Sequence, residues 1–170
     1  MVVLKNILVA TDFSEPSAIA LDYGRDLARS YGATLHVFHV VVNSVLAYSP
    51  EIGMATPMLP ETLEPEARRQ LDRLITKDDR NTLSIVPVVE SHPNAAAGIV
   101  GYAQSKPIDL IIVGTHGRSG IKQFLMGSVA ERVVRSAPCP VLTVREHERD
   151  FLAPDALAVA RSVSVPATKP

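Results

Sequence analysis

Three glycines and a serine are spaced as a phosphate cradle would need them. In the stretch from Asp109 to Ser128, DLIIVGTHGRSGIKQFLMGS, an apolar run from Leu110 to Val113 ends in Gly114, two residues separate Gly114 from Gly117, and nine more precede Gly127-Ser128. The run reads as a buried strand, the glycines as a loop, and Gly127-Ser128 as the opening of a helix. Gly114 and Gly117 let the backbone turn sharply and leave no side chain between main-chain N–H groups and a ligand. At Gly127 and Ser128 the first N–H groups of a helix lack partners, so an anion there meets donors and a favourable dipole. The same residues have a plainer use: loop glycines serve tight turns and a helix-opening serine serves as an N-cap. Neither G-x-x-x-x-G-K-[ST] nor a helix-opening G-x-G-x-x-G occurs, so a P-loop and a dinucleotide fingerprint are excluded.

Composition bounds the remaining chemistry. The chain has 170 residues, 46% of them hydrophobic, with 17 basic and 18 acidic side chains and a net charge of -1. That balance gives no general attraction to nucleic acid or anionic lipid. One cysteine, Cys139 between Pro138 and Pro140, excludes an internal disulfide framework and reads as a packed small residue. No Cys/His spacing suggests a zinc site, and His36 and His39, alternating with apolar residues, read as core or dimer-face histidines. The opening MVVLKNILVATDFSEPS contains no run long enough for a membrane span and reads as a strand, not a signal peptide. A cytoplasmic protein is the expectation.

The elements that must position the cradle follow from periodicity. Asn6 to Thr11 is an apolar run suited to a strand buried on both faces. Ser14 and Pro16 then open a helix that keeps Ala20, Gly24, Leu27 and Tyr31 near one face, and Gly32 ends it. Ala33 to Val42 is a second buried strand, Asn43 to Pro60 a long loop broken by Pro50, Gly53, Pro57 and Pro60, and Glu61 to Asp79 a helix bearing Ala67, Leu71 and Leu74 on one side. Thr82 to Val89 is a third strand, assigned to a sheet edge because Pro87 removes a ladder donor. A small-residue helix from Asn94 to Ser105 and a strand from Ile108 to Val113 lead into the glycine loop. The last core helix, Gly127 to Ala137, carries the stripe Ala130, Val133, Val134, Ala137, and Val141 to Val144 forms a short fifth strand at the other edge.

Five strands alternating with four helices give an α/β, Rossmann-like fold: a single-domain, doubly wound, five-stranded parallel sheet of order 3-2-1-4-5 with helices on both faces. Strands one and four are then neighbours, and ligands bind at the carboxyl ends where the strand order reverses. Asp12 follows strand one and Gly114 follows strand four, so the two unusual segments meet at that crevice. Residues 1–145 form this domain. Residues 146–170 form a tail, read either as a short helix over Pro154 to Arg161 or as a loosely ordered terminus.

The spacing G-x2-G-x9-G-S resembles the signature of the ATP-binding branch of the universal stress protein family. The likeness extends over residues 3 to 145, through ILVATDFSEPS, LHVFHV, DLIIVGTHGRSG with GS, and PCPVLTV. It implies ATP as the ligand, with a divalent ion such as Mg2+ or Mn2+ held largely by phosphates and water. It also implies a homodimer, which would pair through the C-terminal edge strand, and an action through a protein partner still unknown. By the same resemblance Ala10, Thr11 and Asp12 lie where the nucleoside is held, the Asp12 carboxylate accepting from a ribose hydroxyl or an adenine amine. Val40 matches the position whose backbone reads the adenine edge, and Val113 and Gly114 flank the nucleotide. Gly117 gives close backbone approach, and Gly127, Ser128 and Val129 offer N–H groups to phosphate oxygens. His116 can bond a phosphate or ribose, and Arg118 and Lys122 can add positive charge or form a solvated loop face. The chain departs from several ATP-binding relatives in having Ala10 where they have proline.

Three functions are compatible with these residues. The first is a stress-response regulator that binds ATP and acts through nucleotide-dependent interactions. The second is a slow ATPase or a phosphoryl or adenylyl transferase, for which only Asp12 and His116 offer a general base. The third is a dimeric interaction module that binds no nucleotide, against which the intact glycine pattern argues.

Overall fold

The computed structural model describes residues 2–42, 46–49, 54–57, 60–115 and 126–145. Five parallel strands form its central sheet: β1 (Asn6–Ala10), β2 (Thr34–Val42), β5 (Ser84–His92), β6 (Leu110–Gly114) and β7 (Val141–Val144), in the order β5-β2-β1-β6-β7. Numbered among themselves these strands run 3-2-1-4-5, the doubly wound arrangement expected from the alternation of strands and helices. β1 and β2 are predominantly apolar because both faces are covered, and Ile7, Leu8, Val9, Leu35, Val37 and Phe38 are all fully buried. β5, with Pro87 opposite Val37, lies at one edge and β7 at the other.

Helices α1 (Glu15–Tyr31) and α2 (Pro60–Leu74) pack their apolar stripes on one face, where Ala20, Leu21, Ala67 and Leu71 join Val9, Leu35 and Val41. Helices α4 (Ala95–Ser105) and α5 (Ser128–Ser136) cover the other, where Ile99, Ala103, Ala130 and Val133 meet Leu8, Phe38 and Ile111. Each layer buries a continuous apolar strip, which is the main driving force for closing the sheet. α1 ends at Gly32 with φ of 62°, a left-handed turn that a side chain would disfavour.

Several local expectations are corrected. The segment 43–60 is not loop throughout: β3 (Leu46–Ser49) and β4 (Met54–Pro57) pair antiparallel. The helix expected over Glu61 to Asp79 is two helices, α2 and then α3 (Lys77–Thr82). Thr76 interrupts it with a reciprocal capping box, its hydroxyl accepting from Asp79 N–H while the Asp79 side chain accepts from Thr76 N–H. The third sheet strand consequently starts at Ser84, after α3, and runs on to His92. Ser14 is the N-cap of α1 by backbone conformation, yet its hydroxyl bonds Asp12 and not the helix. Tyr31 and Val134, which helical spacing groups with the apolar residues of their helices, are 46% and 45% exposed.

A buried polar group lies on the α4 side of the sheet. His36 Nδ1 is 2.9 Å from the Tyr102 hydroxyl, and burial, reinforced by nearby Lys106, pushes the imidazole below its ordinary range. His36 is therefore a core histidine, as its alternation with apolar residues suggested. Burial also pushes the Cys139 thiol up, with Asp109 adding to the effect, which disfavours the thiolate a nucleophile needs.

Candidate functional site

At the carboxyl end of the sheet a cavity of about 570 Å³ opens between β1 and β6, whose following helices α1 and α5 lie on opposite faces. Its volume is in the range of small-molecule sites. Topology brings to it residues far apart in the chain. Ala10, Thr11 and Asp12 leave β1, Val40 lies near the end of β2, and Val113 and Gly114 end β6. Gly127, Ser128 and Val129 at the start of α5 complete the wall. His116, Gly117, Arg118 and Lys122 lie outside the described residues.

The turn after β1 is held by side-chain hydroxyls. Thr11 Oγ1 accepts the Phe13 N–H at 3.0 Å and lies 3.1 Å from Ser17 Oγ, whose own hydroxyl donates to the Ser14 carbonyl at 2.8 Å. Asp12 Oδ1 accepts the Ser14 N–H at 3.1 Å and also the Ser14 hydroxyl. The Asp12 carboxylate thus serves the local turn while lining the cavity. Phe13 has φ of 65°, the one positive φ at a non-glycine among the described residues. A bulky residue is held there only when its surroundings over-determine it.

Part of that restraint comes from His39, which its sequence context did not mark as a site residue. His39 lines the cavity, its Nδ1 is 2.8 Å from the Thr11 carbonyl, and its ring lies 4.3 Å from that of Phe13. The only hint in the sequence was a polar residue inside a strand buried on both faces. Glu66 and Gln70 of α2 also reach the wall, one helical turn apart, and were not expected there.

The anion end is built by α5. Its first i to i−4 bond runs from Glu131 N–H to the Gly127 carbonyl, so the N–H groups of Ser128, Val129 and Ala130 have no partner within the helix. Gly127 differs: its own N–H donates to the Thr115 carbonyl, so the donors begin one residue later than expected. Glu131 also lies in the first turn, and its carboxylate is drawn toward the C-terminus by Arg135 at 2.9 Å.

Gly114 has a packing reason beside its position on the wall. A Cβ there would come within 2.9 Å of the Pro16 carbonyl carbon, so the bare backbone lets the first turn of α1 sit against β6. Gly114→Ala should lower unfolding free energy by about 1–3 kcal/mol, the usual cost of overpacking, measured by urea denaturation. Stability equal to wild type would show that α1 is not held against Gly114.

Among the described residues no group of three or more His, Cys, Asp or Glu side chains is arranged to hold a metal ion. Comparison with known proteins decides the family: the universal stress protein family model matches residues 4–145. The chain belongs to the universal stress protein family. It is 36% identical over 146 residues to universal stress protein A homolog 1 of Coxiella burnetii, covering 82% of this chain and 95% of that protein. Universal stress protein UspA from Lactobacillus plantarum superposes with a TM-score of 0.69 at 29% identity, over 85% of this chain and all of that one. Two more distant universal stress proteins share the fold. One from Archaeoglobus fulgidus, in complex with dAMP, has 19% identity and a TM-score of 0.60 over 85% of this chain and 99% of its own. Another, in complex with cAMP, has 24% identity and a TM-score of 0.57 over 84% and 98%.

Proposed function

We propose that this universal stress protein binds ATP in the cavity at the end of β1 and β6 and works as a nucleotide-dependent regulator of a protein partner in the cytoplasmic stress response. The observation that carries the reading is the start of α5, where three N–H groups without helical partners lie beside a cavity of nucleotide size. Ser128 and Val129 then hold phosphate oxygens, with Ala130 N–H as a third donor and the Ser128 hydroxyl as a fourth. Ala10, Thr11 and Asp12 hold the nucleoside, and the Val40 main chain reads the base edge. Val113 and Gly114 form the floor, and His116, Gly117 and Arg118 close the phosphate loop. The nucleotide complexes of two relatives support a nucleotide as ligand.

A divalent ion, Mg2+ or Mn2+, would enter with ATP and take its ligands from phosphates and water. We assign the function to residues 1–145 and none to 146–170. A second copy of the chain would add to the outer edge of β7, where Val141, Leu142 and Thr143 are half-buried. No helix among the described residues is long and apolar enough to cross a membrane.

Calorimetric titration of ATP into purified protein tests the reading. One ATP should bind per chain, with adenosine binding more weakly because it lacks the phosphates that α5 holds. Absence of heat with ATP, ADP and AMP alike would overturn it.

A further inference from the structure

Parallel pairing fixes which main-chain groups of β2 face β1. Thr34 N–H donates to the Lys5 carbonyl at 2.8 Å, and the Phe38 carbonyl accepts from Thr11 N–H at 2.9 Å. Because backbone groups alternate sides along a strand, the even-numbered residues of β2 face β1, and Val40 is the next of them. Continued by one step, the ladder would join Val40 N–H to the Thr11 carbonyl. A further step would join the Val40 carbonyl to Phe13 N–H.

Neither bond forms among the described residues. Phe13 N–H donates to Thr11 Oγ1 instead, and the Thr11 carbonyl lies 2.8 Å from His39 Nδ1. A carbonyl oxygen only accepts, so Nδ1 carries the proton in this contact. The His39 ring also packs on Phe13, the residue turned to positive φ. His39 therefore occupies the acceptor that would otherwise take Val40 N–H, and it braces the residue whose turn carries the chain away from β2. Val40 lines the cavity at the point where this divergence begins.

We propose that His39 is a positioning residue for base recognition: by holding the Thr11 carbonyl, it keeps the Val40 peptide edge out of the sheet and presented to the ligand. This rests on the nucleotide-binding reading of the cavity, and it assigns to a side chain the exposure of main-chain groups one residue away. His39 contacts the turn and acts on the base only through Val40.

The test combines amide exchange and binding. In ligand-free wild type, nitrogen NMR should find His39 protonated at Nδ1, and the Val40 amide should exchange rapidly. In His39→Leu the Thr11 carbonyl is released to Val40 N–H, so exchange at Val40 should slow by about tenfold or more. Affinity for AMP should fall by about tenfold, the effect of one lost hydrogen bond. Tripolyphosphate, which needs only α5, should bind His39→Leu as it binds wild type, which separates positioning from general damage. His39→Asn puts an amide N–H where Nδ1 sits and should restore AMP affinity to within about threefold of wild type, the tolerance of a bond remade at slightly altered geometry. An Nε2-protonated His39 in wild type, or unchanged Val40 exchange and AMP affinity in His39→Leu, would overturn the proposal. If His39→Leu does not fold, the wild-type tautomer and Val40 exchange still decide it. If wild type binds no adenylate, the nucleotide reading fails, while those two NMR observations still test the role of His39 in the turn.

Discussion

Replacing Arg25 with Met should cost the fold about 3–5 kcal/mol, a large part of the stability of an ordinary domain. Arg25 on α1 grips Asp79 of α3 through two bonds, Nε to Oδ1 at 3.0 Å and Nη2 to Oδ2 at 2.8 Å, and it also donates to the Leu74 carbonyl at the end of α2. Their side chains are only 15% and 3% exposed, so removing the cation leaves the buried Asp79 carboxylate with the Thr76 N–H at 2.9 Å and the more distant Arg29 guanidinium at 3.7 Å as its remaining partners. Burial alone would raise the Asp79 carboxyl, but the bonds from Arg25 and Thr76 outweigh it and hold it below the usual carboxylate range. The sign follows. As pH falls the unfolded chain protonates first, so the contribution of this carboxylate is complete above its unfolded range and is lost as pH drops through the lower, folded value. Urea unfolding should therefore show wild type losing stability in acid more steeply than Arg25→Met. Arg25→Lys should fall between them, since an ammonium cannot reproduce the two-pronged grip. A loss below about 1 kcal/mol, the level of an exposed ion pair, would show that α3 is not fastened through this contact.

Ser128→Asp should change stability and binding in opposite directions. A carboxylate in the first turn of α5 complements the helix dipole and should leave stability unchanged or raise it by about 0.3–1 kcal/mol. The same carboxylate would stand where the phosphates are proposed to sit. At about 4 Å and an effective dielectric near 20, each pair of like charges costs roughly 4 kcal/mol. ATP affinity should consequently fall by about 100-fold or more, even after solvent relaxation recovers part of that cost. Ser128→Ala removes one hydroxyl and leaves the amides, so its loss should stay near tenfold or less. Thermal melting with and without ATP reads both effects in one experiment. If Ser128→Asp bound ATP as wild type does, the phosphates could not lie at α5.

Features fixed by patterns along the chain were legible in the sequence. Two largely apolar runs gave β1 and β2, Pro87 gave an edge strand, and the order of strands and helices left few ways to wind the sheet. Once that winding is accepted, Asp12 and Gly114 meet at one crevice, so their meeting was legible before any coordinates, whereas Val40 and Ser128 were placed there through the family resemblance. What escaped was set by short or distant interactions. The β3 and β4 strands have four residues each and no alternation strong enough to separate them from a loop. The break before Lys77 was written in Thr76-x-x-Asp79, but the charged pattern on either side continues as if one helix ran through. The engagement of Gly127 N–H and the hold of His39 on Thr11 both depend on a carbonyl from another part of the chain. Gly114 was read as room for a ligand, and its neighbour Pro16 shows that the missing side chain also serves packing.

The central claim, that amides without helical partners at the start of α5 and the turned-out edge of β2 hold a nucleotide, is tested most directly by an amide chemical-shift titration of the whole chain with ATP. Saturable shifts should appear at Val40 and at Ser128, Val129 and Ala130, and tripolyphosphate should reproduce the α5 shifts without those at Val40. A titration in which none of these four amides moves would contradict the account.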